Sequence, residues 1–246
     1  MTHHPYFRNR PDANTAVLLI HGILSTPRHF DWLIPHIPDY FDVSNILLAG
    51  HGGTAQDFSE ATMALWQKQV DAELKKLEEK YADIYVIGHS LGSLLALHAA
   101  KTHKSIRGLL LLNVPLRPRL KPSMIGRGIR FAFGKVRKDD PVDIQCRNDL
   151  GVQLHPYLWK YLNWIPNFLS LLKLARKCQT IPAELDIPCY AYFATDDELV
   201  HPNSCKYFHN NPSMSPVMMK GGMHFGYTAA EQATILCGFN DLICQH

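Results

Sequence analysis

The pentapeptide Gly88-His89-Ser90-Leu91-Gly92 lies between an apolar run, Ile84-Tyr85-Val86-Ile87, and a helix-like stretch beginning at Leu91. No other segment constrains the fold as tightly. A serine at a sharp strand-to-helix turn needs glycine two positions to either side, because side chains there collide with the neighbouring strand and helix. The amino end of the following helix also favours negative charge beside the hydroxyl.

The rest of the chain repeats the same alternation. Apolar runs at Thr15–Ile20, Asp42–Leu48, Asp83–Ile87, Gly108–Leu112, Pro188–Phe193 and Ser215–Met219 are apolar almost throughout, as expected of strands covered on both faces. They predict an α/β fold with a mainly parallel sheet of about six strands flanked by helices. Thr26-Pro27 predicts a helix over Arg28–Ile34, and Ser59 opens a long amphipathic helix to Tyr81 with Leu65, Val70, Leu74 and Leu77 on its stripe. Helices are also predicted from Leu91 to Ala100 and from Thr228 to Cys244. Between Asn113 and Pro188 the rhythm stops for about seventy residues, far beyond the usual connection between such elements. That stretch carries prolines at 115, 118, 122, 141, 156, 166 and 182 and a helical pattern over Asn163–Lys177. It predicts a mostly helical cap at 114–186, inserted into a core formed by 1–113 and 187–246.

Composition narrows the function classes. A chain of 246 residues that is 46% hydrophobic and 19% charged is a folded protein with a sizeable core, and its net charge of +3 gives no reason to expect nucleic acid. Its six cysteines are scattered with no CxxC pair and read as buried thiols of a reduced compartment, the cytoplasm, where the protein is expected. The first eleven residues lack the apolar core of a signal peptide, and no run approaches the length of a membrane span. No HExxH or clustered Cys/His site implies a metal, and no organic cofactor is implied.

A serine hydroxyl is a weak nucleophile until a base takes its proton, and the base must be oriented by an acid. Partners follow Ser90 in the order Ser, acid, His. The acidic turn Thr195-Asp196-Asp197-Glu198-Leu199-Val200 follows one apolar run, with Asp196 and Asp197 both candidates. Lys220-Gly221-Gly222-Met223-His224 follows another and exposes one histidine. Of the other histidines, His21, His51 and His89 lie near strand ends but too early in the order, and His201 begins the next helix. For the oxyanion the candidate donors are the backbone N–H groups of Leu91 and of Ile23, beside Gly22.

His21-Gly22-Ile23, Gly50-His51-Gly52, the Ser90 pentapeptide, Asp197-Glu198-Leu199-Val200 and His224 together resemble the compact carboxylesterase and monoacylglycerol lipase branch of the α/β hydrolases. The resemblance covers Thr15–Asn113 and Ile187–His246 but not the cap. It implies the α/β-hydrolase fold and a serine hydrolase acting through an acyl-enzyme on carboxylic esters with an apolar acyl part. Its Asp-x-x-Val pattern favours Asp197 over Asp196. Two departures stand out: the family's first antiparallel strands look trimmed, and the histidine sits in Gly-Met-His-Phe instead of Ser-Gly-His. A thioesterase and a catalytically silent binding protein are the competing classes.

From Arg117 to Lys138 the cap carries Arg117, Arg119, Lys121, Arg127, Arg130, Lys135, Arg137 and Lys138 and no acid. Interleaved apolar residues make this either a peripheral membrane contact or a solvated face balanced by Asp139, Asp140 and Asp143. Tyr157, Trp159, Tyr161, Trp164 and Phe168 supply apolar surface for packing or for an acyl chain.

Overall fold

The computed structural model describes residues 3–244. Among these residues seven strands form one sheet: β1 (Tyr6–Arg8), β2 (Thr15–Ile20), β3 (Phe41–Ile46), β4 (Asp83–His89), β5 (Ile106–Leu112), β6 (Cys189–Ala194) and β7 (Met214–Met219). Their order is β1-β3-β2-β4-β5-β6-β7, parallel except for β1, which runs antiparallel to β3. The six expected strands are present. Of the antiparallel strands expected to be trimmed, a three-residue one remains, Tyr6–Arg8, paired with Val43–Asn45. Arg8 anchors that short strand through its guanidinium, which donates to the carbonyls of Ile37, Pro38 and Phe41.

Alternation along the strands feeds two apolar layers. Ala16, Leu18 and Ile20 face one layer with Trp66, Leu94 and Leu97, while Val17 and Leu19 face the other with Phe30, Phe239 and Leu242. The first layer holds α1 (Ala55–Glu60), α2 (Met63–Glu78) and α3 (Leu91–Ala100). The single helix expected from Ser59 to Tyr81 is therefore two. Thr62 accepts a hydrogen bond from Leu65 N–H and starts a new helix, and Thr54 forms a capping box with Asp57 at the head of the first. Trp66 replaces Leu65 on the buried stripe, Leu65 being 43% exposed. The helix expected at Arg28–Ile34 is two 3₁₀ turns, Pro27–Phe30 and Ile34–His36.

The segment 114–186 holds α4 (Pro122–Ala132), α5 (Pro141–Asp149), a 3₁₀ stretch (Leu158–Trp164), α6 (Ile165–Cys178) and α7 (Ile181–Glu184). Its parts differ in attachment. Helix α6 buries Leu171, Leu174, Ala175 and Cys178 in the same apolar layer as α3. Helix α4 buries only Arg127 and Phe131. The chain returns through β6 and β7 to α8 (Ala229–Cys244), which covers the second layer. Cys146, Cys178 and Cys189 are buried free thiols, whereas Cys237 and Cys244 on α8 are exposed, against the expectation that the thiols are all interior.

Candidate active site at the end of the sheet

Strand β4 delivers Ser90 into a backbone conformation (φ 51°, ψ −116°) that a residue with a side chain rarely adopts, and α3 starts immediately after it. The turn is locked from both sides. Ser90 N–H donates to Leu112 O at 2.9 Å, and Ser93 Oγ donates to Gly88 O at 2.7 Å and Leu112 O at 3.1 Å. A Cβ on Gly92 would fall on the main-chain carbonyl of Ile20, and one on Gly88 would lie 2.6 Å from Ser93 N. Glycine at both positions is a steric requirement of the turn.

Asp197 stands in the turn after β6 and is 1% exposed. Its Oδ1 accepts the N–H groups of Leu199 and Val200, each at 2.7 Å, so the turn itself aims the carboxylate. Oδ2 accepts His224 Nδ1–H at 2.8 Å, and the opposite nitrogen of that ring lies 3.1 Å from Ser90 Oγ. Because a carboxylate only accepts, the Nε2 lone pair is left to receive the serine proton. Asp196 is exposed and contributes its backbone alone, its N–H to Gly222 O and its carbonyl to Lys121 Nζ. The structure therefore brings Ser90, His224 and Asp197 into one hydrogen-bonded line and leaves Asp196 outside it.

The backbone of His224 is gripped at both ends. Its carbonyl accepts from His89 Nε2 at 3.1 Å and Asn113 Nδ2 at 3.2 Å, and its N–H donates to Glu198 Oε2 at 3.4 Å. Asn113 also holds the left-handed conformation (φ 50°) at the end of β5. The Met-His-Phe setting thus receives support from the two neighbouring strand ends.

The loop after β2 runs against the serine turn: a Cβ on Gly22 would come within 3.0 Å of Ser90 Cβ. Ile23 follows in this loop, and Leu91, fully buried, supplies the first N–H of α3, which has no partner within its own helix. Two buried histidines fix the loop. His21 Nε2 accepts Leu48 N–H at 3.0 Å while Nδ1–H donates to Gly22 O at 2.8 Å. His51 Nε2 accepts Leu24 N–H at 3.1 Å, which assigns Gly50-His51-Gly52 a bracing role. Burial lowers the pKa of His51 to about 4, outweighing its hydrogen bonds to the Ala49 and Leu48 carbonyls, and it likewise drives His21 well below the usual imidazole range. Both rings are neutral at pH 7, as these bonds require. His201 caps the 3₁₀ helix Pro202–Phe208, as its place in the sequence suggests.

The connection from segment 114–186 to the site carries no signature in the sequence. Arg127 donates from Nη1 to Glu198 Oε1 at 2.8 Å and from Nε to Asp143 Oδ1 at 2.8 Å, and Arg130 donates to both oxygens of Asp143. Burial opposes ionisation of Asp143, yet the bonds from Arg130 and Arg127 prevail and hold its carboxyl at about 2. Arg119 grips the carbonyl of Asp197. Asp143 alone of the three expected balancing acids takes guanidinium groups; Asp140 instead caps α5. On the other side of the site His29 stacks on His89 at 3.8 Å and meets Asp149 Oδ2 of α5 at 3.0 Å. The interior thiols offer no competing nucleophile: burial raises Cys146 and Cys178 to about 12.

A sequence profile described as the alpha/beta hydrolase family matches residues 17–234, spanning most of β2, strands β3 to β7, the serine turn, the acidic turn and His224. The chain belongs to the alpha/beta hydrolase family. Among curated relatives of this hydrolase, the thermostable monoacylglycerol lipase of Bacillus sp. (strain H-257) is 26% identical over 207 residues, covering 81% of this chain and 76% of that one. The pimeloyl-[acyl-carrier protein] methyl ester esterase of Neisseria meningitidis serogroup C is 38% identical over 99 residues, but this match spans only 39% of the chain and 35% of the esterase. In three dimensions, the monoacylglycerol lipase of Paleococcus ferrophilus superposes over all of both chains with a TM-score of 0.70 at 15% identity, a likeness of fold. No described helix of the hydrolase is long and apolar enough to cross a membrane.

Proposed function

We propose that this hydrolase is a serine esterase that cleaves carboxylic esters with an apolar acyl part, of the short-ester, monoacylglycerol or lysophospholipid kind. The observation that carries the reading is the unbroken line Ser90 Oγ–His224–Asp197, at 3.1 and 2.8 Å. Ser90 Oγ attacks the ester carbonyl as its proton passes to His224 Nε2. Asp197 holds the ring in the required tautomer and stabilises the imidazolium. The N–H groups of Ile23 and Leu91 receive the oxyanion, each such donor contributing about 3 kcal/mol at the transition state. His224 then protonates the departing alcohol and, on the return, takes a proton from the water that frees the acid and Ser90.

In this reading residues 114–186 form the cap and α6 anchors it in the core layer. Ser90 is only 5% exposed, and Arg127 of α4 and Asp149 of α5 reach Glu198 and His29 on either side of it. The outer face of the α4–α5 part displays Leu120, Ile125, Ile129 and Phe133, between 49% and 63% exposed, beside Lys135, Arg137 and Lys138. This combination suits substrates drawn from an anionic lipid surface. A thioesterase cradling an anionic carrier is less well supported, because Arg127 and Arg130 are already held by carboxylates.

The test is turnover of p-nitrophenyl esters from acetyl to palmitoyl and of matched acyl-CoA thioesters, with and without anionic liposomes. Ser90→Ala is expected to lower ester turnover at least about 10³-fold and to abolish labelling by a fluorophosphonate. Undiminished labelling of that variant sinks the assignment of the nucleophile, and a preference for the thioesters overturns the substrate class.

A further inference from the structure

Helix α4 touches the body of the protein in an unusual way. Of its residues only Arg127 and Phe131 are buried, while Ile125 and Ile129 stay about half exposed, so apolar packing does little to hold it. Arg127 is 6% exposed and its guanidinium is divided between two carboxylates, Asp143 of α5 (0% exposed) and Glu198 (2% exposed). Glu198 follows Asp197 directly, and its second oxygen accepts the backbone N–H of His224. One carboxylate therefore joins the cap to the histidine loop, and it sits next in sequence to the acid that orients the imidazole.

We propose that Glu198 is a positioning residue through which Arg127 couples the seating of the cap to the alignment of His224. The idea rests on the Ser90–His224–Asp197 reading above. With α4 seated, the guanidinium neutralises Glu198 and keeps its Oε2 on the His224 N–H. With α4 lifted, a buried carboxylate loses its counter-charge. It then draws water or turns away, and the His224 loop loses its hold on the amide side. The carbonyl side stays fixed by His89 and Asn113, so the loop pivots on that side. Proton transfer by His224 is fastest when the cap is down over a bound ester.

The charged or titratable side chains around His224 include Asp197 and Glu198 from the acidic turn and His89 from the end of β4. Burial lowers the pKa of His89 far enough to leave it neutral. Removing the charge of Glu198 thus favours neutral His224, whereas removing Arg127 exposes that charge and favours imidazolium. The two substitutions move the acid limb of activity in opposite directions, which a merely structural role does not do.

The experiment measures kcat, KM and the pH profile of kcat/KM on p-nitrophenyl butyrate, a small ester, together with thermal melting. Glu198→Gln, which leaves Arg127 bound to Asp143, is expected to lower kcat about tenfold with KM within twofold and to move the acid limb to lower pH. Arg127→Met is expected to lower kcat further and to move the limb to higher pH. The double variant should recover part of that loss, since the pair acts as a unit. If Arg127→Met does not fold, Arg127→Lys takes its place and should retain the wild-type limb with a smaller loss in kcat. The proposal is overturned if folded Glu198→Gln keeps kcat within twofold and its acid limb, or if the two losses simply multiply. Ser90→Ala in the same assay separates the failures: an active Ser90→Ala removes the triad reading itself, while an inactive one beside a fully active Glu198→Gln removes only the coupling.

Discussion

The serine turn and helix α4 each carry two glycines at close spacing, Gly88 and Gly92 in one, Gly126 and Gly128 in the other, and they use them oppositely. In the turn there is no space: a Cβ on Gly92 strikes the carbonyl of Ile20, and one on Gly88 strikes the start of α3. In α4 there is room: a Cβ on Gly128 meets no atom within 4 Å, and one on Gly126 only Arg130 Nη1 at 4.0 Å. The turn is shaped by main-chain sterics between elements that the core already fixes. The helix is shaped by little of its own, with two poor helix formers around Arg127, and depends on the ion pairs that this arginine makes. Rigid geometry at Ser90 and weakly held geometry in α4 follow from the same residue type in two environments.

The sharpest way to break this contrast is Gly92→Ala. It is expected to lower Tm by about 10 °C or more and to abolish fluorophosphonate labelling, because either the turn or strand β2 must move. A melting curve close to wild type would show that the turn has slack. Next in size, Asp197→Asn should lower kcat about 10³–10⁴-fold by spoiling the tautomer of His224, with Tm little changed. Asp196→Asn should stay within about twofold in the same assay, since its carboxylate is outside the hydrogen-bonded line. Equal losses from the two would reopen the choice of acid. Smallest of all, Gly128→Ala should raise stability by about 0.5–1 kcal/mol, read by denaturant unfolding, as alanine replaces glycine in an open helix position. Destabilisation there would mean that α4 is packed more tightly than its exposure implies.

What was legible in the sequence follows the same division. Strand β2 and helix α3 have the bounds their patterns predict, and Ser90, Asp197 and His224 could be named because each stands just beyond an apolar run in a fixed order. Local sterics and burial on two faces write themselves into neighbouring residues. Strand β1 escaped because three residues carry no period, and its anchor, Arg8, reaches carbonyls about thirty positions away. The division of one long amphipathic pattern into α1 and α2 turned on Thr62, whose threonine also reads as an ordinary polar-face residue. The link from Arg127 to Glu198 spans 71 positions, and a basic run without acids does not by its charges say which cation turns inward. The one available hint was Arg127 between two glycines, a long side chain with no bulk to either side.

A main-chain contact of segment 114–186 reaches further than its size suggests. Gly151 N–H donates to Leu24 O at 2.7 Å, its own carbonyl accepts from Gly52 N–H, and a Cβ on it would strike Ser25 and Thr26. The insertion is therefore stitched into the loop that carries Ile23 by a residue that tolerates no side chain. Efforts to change specificity by exchanging the whole segment with that of another hydrolase would remove this stitch together with Arg127 and Asp149. A graft that keeps Gly151 and those two residues and replaces only the outward faces of α4 and the 3₁₀ stretch leaves the catalytic scaffold wired. Variation in such a chain is expected to accumulate on the outer surface of segment 114–186 while its underside is inherited as a block.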